Sequence, residues 1–200
     1  MIEMKTVVMF PTATEARLFS RPGVETVISG VGLTATAYAT LKAIREHAPD
    51  VLILAGVAGM YAHAPLAIGD TVLVESECEA DLGFFTPEGF RHLAHLAIDM
   101  DFDVRHTLAC PYLPDSPPLP LARSLSLNAA LAPFIDTAHA EIENMEGAAF
   151  FHVCLQEGQR FYEVRSISNV VKLGHDDWDL DASVANLTEG LTRLIDSLRE

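Results

Sequence analysis

Two hundred residues, half of them hydrophobic, suffice for one compact domain with a substantial core, and residues 1–200 are expected to form that single domain. A formal charge of −15, with no run of Lys and Arg to offset it, excludes a nucleic-acid partner and leaves a small molecule as the expected ligand. One short N-terminal apolar run ends at Pro11 and nothing later reaches membrane-spanning length, so a soluble, cytoplasmic chain without membrane contact is expected.

Residues 5–10 and 24–29 read as short buried strands. The second runs into Gly30-Val31-Gly32 and then a helical pattern marked by Ala37, Tyr38, Leu41 and Ile44, which Pro49 and Asp50 stop. Residues 51–55 are continuously apolar up to Gly56, so residues 24–55 predict a βαβ unit with parallel strands. A strand follows at 71–74, and residues 81–89 predict a loop that carries the exposed pair Phe84 and Phe85 and folds over a pocket. Asp115-Ser116-Pro117-Pro118-Leu119-Pro120 is a surface excursion, because apolar patterning resumes directly after it. Alternation over 121–128 predicts a strand, 146–156 a buried helix and 161–167 a further strand. Val184, Leu187, Leu191, Leu194 and Leu198 mark one face of a closing amphipathic helix.

Several motifs imitate sites without meeting their requirements. Cys78, Cys110 and Cys154 are odd in number and lack CxxC spacing, so they predict buried thiols, neither disulfides nor zinc ligands. Asp99, Asp101 and Asp103 open like a calcium loop, but Val104 takes the glycine position and Cys110 that of the bidentate Glu. His92 and His95 share a helix face without a third ligand, so no metal is expected. Gly30-x-Gly32-x-x-Ala35, with Asp50 downstream, resembles a dinucleotide fingerprint, yet it sits on the second strand. The alternative use of those glycines is close backbone approach, with N–H groups aimed at an oxygen or an anion.

Glu146 falls at the start of the predicted helix, where the dipole favours a carboxylate and where an acceptor suits paired sugar hydroxyls; a plain first-turn acid is the alternative. Met145 beside it packs either a sugar face or core. Asn169 closes a buried strand, the place where α/β sheets present side chains to a ligand crevice, unless it is only a turn residue.

Seven boxes together resemble the nucleoside phosphorylase and nucleosidase family over nearly the whole chain. They are Pro11-Thr12-Ala13-Thr14-Glu15, Ser29-Gly30-Val31-Gly32, Ala55-Gly56-Val57-Ala58-Gly59, Ile68-Gly69-Asp70, Ala80-Asp81-Leu82-Gly83, Asn144-Met145-Glu146-Gly147-Ala148-Ala149 and Arg165-Ser166-Ile167-Ser168-Asn169. The last two are the most specific, and Trp178 with Ala185-Asn186-Leu187 extends the likeness to the chain's end. The resemblance implies a three-layer α/β fold with a mixed, mostly parallel central sheet flanked by helices, no metal or organic cofactor, and a homo-oligomer, dimer or higher. It implies that Glu146 and Met145 hold the ribose, that Glu15 orients or deprotonates the attacking water, and that Asn169 contacts the purine. Asn144 stands where many relatives have Glu, which makes it a less certain ribose contact.

The implied reaction is hydrolysis of the N-glycosidic bond of futalosine, with release of hypoxanthine and dehypoxanthinyl futalosine, in menaquinone biosynthesis. Adenine-releasing relatives carry Asp where this chain has Asn169, whose amide donates to N7 and O6 of a 6-oxopurine instead. Phosphorylases bring an Arg and a Ser to the turn at Gly56, where this chain has Leu54 and Val57, an apolar lining unsuited to phosphate. Arg91 or His92, beside Phe84 and Phe85, is the expected receiver of the substrate's aromatic carboxylate. The alternatives within the family are an adenine-releasing nucleosidase, acting on aminodeoxyfutalosine or methylthioadenosine, and a purine nucleoside phosphorylase. Outside it stand a dinucleotide oxidoreductase and a non-catalytic nucleoside-binding module.

Overall fold

β1 (Thr6–Phe10) is buried at every residue, as is β3 (Val51–Met60) through Gly56, and the two pair in parallel. These strands belong to a computed structural model that describes residues 4–97, 107–173 and 178–199. β2 (Val24–Ile28) pairs in parallel with the other edge of β1, and α2 (Leu33–His47) connects it to β3, completing the expected βαβ unit. β2 is not buried as expected: it is an edge strand, with Ile28 exposed.

β3 does not stop at Gly56. A Cβ at that position would lie 2.5 Å from Arg165 Nη1 and 3.1 Å from Glu15 Oε1, so the glycine serves close side-chain approach inside a strand rather than a turn. The strand therefore reaches ten residues, as does β10 (Phe161–Val170), which pairs with it in parallel over nearly the full length.

That length alters the architecture. β1 covers only the first half of one β3 edge, from Val51 to Leu54, leaving Gly59 and Met60 free to pair antiparallel with β9 (Ile142–Asn144). β10 in turn pairs antiparallel with β4 (Thr71–Glu79), β4 pairs in parallel with β8 (Leu121–Ser126), and β8 in parallel with β9. β3, β10, β4, β8 and β9 thus form a closed ring from which β1 and β2 extend. The mixed, mostly parallel α/β sheet is as expected, but the three-layer arrangement is corrected, since part of the sheet closes like a barrel.

α3 (Gly147–Glu157) packs against α2, β4 and β8, while α4 (Leu180–Ser197) lies on β10 and β3 with Val184, Leu187, Leu191 and Leu194 fully buried. β8 alternates as predicted, yet its buried face is Ala122, Ser124 and Ser126, while Leu121 is exposed. The inward hydroxyls serve a polar network behind the cavity described below. Residues 81–89 are a hairpin rather than a loop: β5 (Gly83–Thr86) pairs with β6 (Gly89–His92), and the rings of Phe85, Phe90 and Phe134 cluster 4.8–5.6 Å apart. A short α1 (Ala13–Ala16) and the two-residue β7 (Leu108–Ala109), which borders β4, complete the elements bearing on the site.

Cys110 and Cys154 are buried free thiols, but Cys78 is only half-buried. Burial pushes the thiols of Cys78 and Cys110 up to about 11, which leaves them protonated and unreactive near neutral pH. His92 Nδ1 accepts the Ala94 N–H and its Nε2 donates to the Glu79 carbonyl, which commits the ring to local turns. Asp99, Asp101, Asp103 and Val104 lie outside the described residues. Among the described residues no group of three or more His, Cys, Asp or Glu is arranged to hold a metal ion, and no helix is long and apolar enough to cross a membrane.

Candidate active site

The segment after β1, the C-terminal part of β3, β9 and the end of β10 meet around a cavity of about 400 Å³, a size suited to a small molecule. Glu15, Val57, Met145, Glu146 and Asn169 all line it.

Glu15 is positioned by the start of α1. Thr12, the N-cap, accepts the Glu15 N–H at 3.2 Å and donates its hydroxyl to Glu15 Oε2 at 2.6 Å, a variant of the capping box that Thr-x-x-Glu encodes. The Val57 N–H donates to Oε1 at 3.0 Å. Both oxygens are thereby fixed, and each retains a lone pair for a further donor.

Glu146 is the N-cap of α3 rather than its first helical residue, and its carboxylate is buried. Oε1 accepts the Gly32 N–H at 3.2 Å; Oε2 accepts from Arg165 Nη1 at 3.2 Å and the Met145 N–H at 3.3 Å. Gly32 has φ +96, a conformation glycine adopts without strain. The resemblance of Gly30-x-Gly32 to a dinucleotide loop thus dissolves: its N–H does meet an oxygen, that of Glu146.

Asn144 borders the cavity, but its amide is engaged with the framework. Oδ1 accepts the N–H groups of Glu146 and Gly147 at 2.7 Å each, so Asn144 rather than Glu146 caps α3 through its side chain. Nδ2 donates to Glu77 Oε1 at 2.6 Å and Ser124 Oγ at 2.8 Å, so its amide protons are engaged with the framework. Glu163 Oε1 accepts from Arg165 Nε at 2.7 Å, so Glu77, Glu146 and Glu163 surround a single buried guanidinium. A methyl on Gly147 would overlap the Glu77 carboxylate, which explains why glycine follows Glu146.

Burial works against the charge on Arg165, but Glu163 and Glu146 more than offset it and hold the guanidinium protonated. Burial, then the neighbouring Glu163, pushes Glu77 up to about 8; burial also raises Glu163. Below that value the folded chain keeps a proton on Glu77 that the unfolded chain releases in the ordinary carboxylate range. Its stabilising effect is full below that range and is lost as pH rises to about 8. Glu77→Gln, neutral at every pH and able to keep the bonds to Asn144 and Ser126, is expected to flatten the decline in melting temperature between about pH 5 and pH 8. An unchanged slope would show that the proton resides elsewhere.

Asn169 does not close its strand. The register of β10 on β3 shifts between Ile167 and Asn169, so Ser168 is an extra residue, and both Ser168 and Asn169 line the cavity although alternation alone would send them to opposite faces. The Ser168 hydroxyl donates to Asn169 Oδ1 at 2.8 Å, and Nδ2 lies 3.3 Å from the Val170 carbonyl, with a second proton to spare.

Other expected positions fall elsewhere. Phe84, Phe85 and Arg91 sit on the hairpin and do not line this cavity; Gly56 lies behind Glu15; Leu54 is fully buried in the core. Glu143, Ser168 and Trp178 line the cavity and had no assigned role. Glu143 immediately precedes the box at residues 144–149, but its direction depends on pairing with Gly59, which local sequence does not reveal.

The chain belongs to the phosphorylase superfamily, whose family model matches residues 17–200. Futalosine hydrolase of Thermus thermophilus is 31% identical over 182 residues, covering 84% of this chain and 79% of that protein. Among solved structures, the 5′-methylthioadenosine/S-adenosylhomocysteine nucleosidase of Neisseria meningitidis superposes with a TM-score of 0.74 at 19% identity, over 97% of this chain and 100% of that one. Futalosine hydrolase of Helicobacter pylori does so with a TM-score of 0.75 at 16% identity, over 97% and 98%. Structural likeness at such identities establishes the fold alone.

Proposed function

We propose that the chain is a nucleosidase that hydrolyses the N-glycosidic bond of futalosine, releasing hypoxanthine and dehypoxanthinyl futalosine. The observation carrying this reading is the gathering of Glu15, Met145, Glu146 and Asn169 on one cavity whose described lining contains no Lys or Arg. A phosphate nucleophile would need a cation facing it, and Arg165 is buried behind Glu146, so water is the nucleophile. On this reading the enzyme serves menaquinone biosynthesis in the cytoplasm as a homo-oligomer.

Cleavage builds positive charge on the sugar and sends electrons into the departing base. Glu146 accepts from the ribose hydroxyls while Met145 packs the sugar face, and Glu15 takes a proton from water as it attacks the anomeric carbon. The amide nitrogen of Asn169 donates to N7 or O6, where the charge collects, while its oxygen accepts the Ser168 hydroxyl. The steps are acid–base and electrostatic and require no cofactor.

Two nucleosides, with and without phosphate, test the reading. Futalosine should yield hypoxanthine without phosphate and its 6-amino analogue should react more slowly; phosphate dependence or preferential adenine release overturns it. Asn169→Asp should weaken futalosine cleavage and improve cleavage of the 6-amino analogue, by a mispairing cost of about 1–3 kcal/mol. Equal rates on both substrates in both proteins would remove Asn169 from base recognition.

A further inference from the structure

Asn169 alone is an incomplete reader of a purine. Its amide has a donor and an acceptor end, and the same group can donate to N7 or O6 of a 6-oxopurine or pair with N7 and the 6-amino group of adenine. A base choice that does not reverse with one side-chain flip needs a group of fixed polarity elsewhere in the pocket.

Glu143 is such a group. Gly59 of β3 pairs with Asn169 of β10 on one edge and with Glu143 of β9 on the other, so the two side chains flank a glycine that contributes no side chain between them. Strand spacing puts their backbones roughly 10 Å apart, enough for a planar bicyclic base to reach both side chains. Both line the cavity and both are 6% exposed. A carboxylate is acceptor-only, and its two oxygens are fixed here by donors. The Tyr61 hydroxyl donates to Oε2 and the Leu131 N–H to Oε1, each at 3.0 Å. Burial, then the Glu143 charge, pushes the Tyr61 phenol up, so it remains a donor. Leu131, at φ 62, is a non-glycine residue in the left-handed region, and it and Ala130 line the cavity beside Glu143. Each Glu143 oxygen keeps a lone pair for one more donor.

We infer that Glu143 accepts the N1–H of a 6-oxopurine and so sets the base specificity of this pocket. The inference rests on the nucleosidase reading above for the presence of a purine. N1 of hypoxanthine bears a proton beside O6, whereas N1 of adenine bears a lone pair that faces the carboxylate with like polarity. Asn169 and Glu143 then read adjoining edges of one base, and only Glu143 cannot be satisfied by turning over.

Calorimetric titration of the free bases tests this independently of turnover. Wild type should bind hypoxanthine roughly tenfold or more tightly than adenine or 1-methylhypoxanthine, whose methyl removes the N1 proton. Glu143→Gln, which can turn an N–H toward N1, should lose the hypoxanthine preference and gain adenine affinity; Glu143→Ala should admit 1-methylhypoxanthine. A role confined to holding Leu131 would weaken all three bases by one factor. That outcome, equal wild-type affinity for hypoxanthine and 1-methylhypoxanthine, or no purine binding, overturns the inference. Failure to cleave futalosine despite selective hypoxanthine binding would instead refute the proposed reaction and leave Glu143 as the base reader.

Discussion

Glu15→Gln is expected to lower kcat for nucleoside hydrolysis by about 10²–10⁴-fold, the usual contribution of a positioned general base. The substitution removes basicity and little else. Gln keeps an oxygen to accept the Val57 N–H, and Thr12 can still cap the Glu15 backbone N–H while accepting from the new amide. Stability should therefore change by less than about 1 kcal/mol, as for an isosteric replacement whose partners remain satisfied. KM should move little, because the ribose and base contacts assigned to Glu146 and Asn169 lie on α3's cap and β10, not on α1. Steady-state kinetics and thermal denaturation of the same preparation separate these effects. A kcat within a few-fold of wild type would mean that water is activated elsewhere and would remove Glu15 from the mechanism.

Elements that bury a continuous apolar face were legible from sequence: β1, the first half of β3 and α4 follow directly from their hydrophobic pattern, whereas α2 forms where expected but buries Leu33, Thr36, Thr40 and Ala43 and leaves the expected marker Tyr38 exposed. β7, β9 and α1 were not, because two to four residues hold too little of any period. Their placement is decided by tertiary pairing. β8 shows the subtler failure, since alternation identified the strand but the buried face is hydroxylated, a choice explained by Ser124 and Ser126 bonding to Asn144 and Glu77. At the cavity, Glu146 stood at the start of a predicted helix and Glu15 was reached only through the family resemblance, whereas the orientation of Asn169 depends on a bulge and that of Glu143 on cross-strand register. Neither has a local signature. Phe84, Phe85 and Arg91 were expected at the substrate, but they lie on a hairpin and are not among the residues that line this cavity.

Arg165→Leu should destabilise the fold by about 3–5 kcal/mol, because removing one partner of a buried ion network leaves the others uncompensated. Arg165 bridges Glu163 and Glu146 and also donates Nη2 to Asn144 Oδ1 at 3.1 Å, the atom that caps α3. Without the guanidinium, Glu163 loses its cationic partner in a dry environment, which drives the Glu77–Glu163 pair to hold its protons to higher pH. The folded variant then binds more protons than the unfolded chain over a wider pH range than wild type does. Its stability should accordingly fall more steeply as pH rises, so the deficit relative to wild type is larger at pH 8 than at pH 6. Adding Glu163→Gln to Arg165→Leu should recover part of the loss, and most of it at the higher pH, because one of the stranded charges is then absent. Urea denaturation of the single and double variants at both pH values measures each term. A loss below about 1 kcal/mol at pH 8, or one independent of pH, would mean that Arg165 does not compensate the buried carboxylates around it.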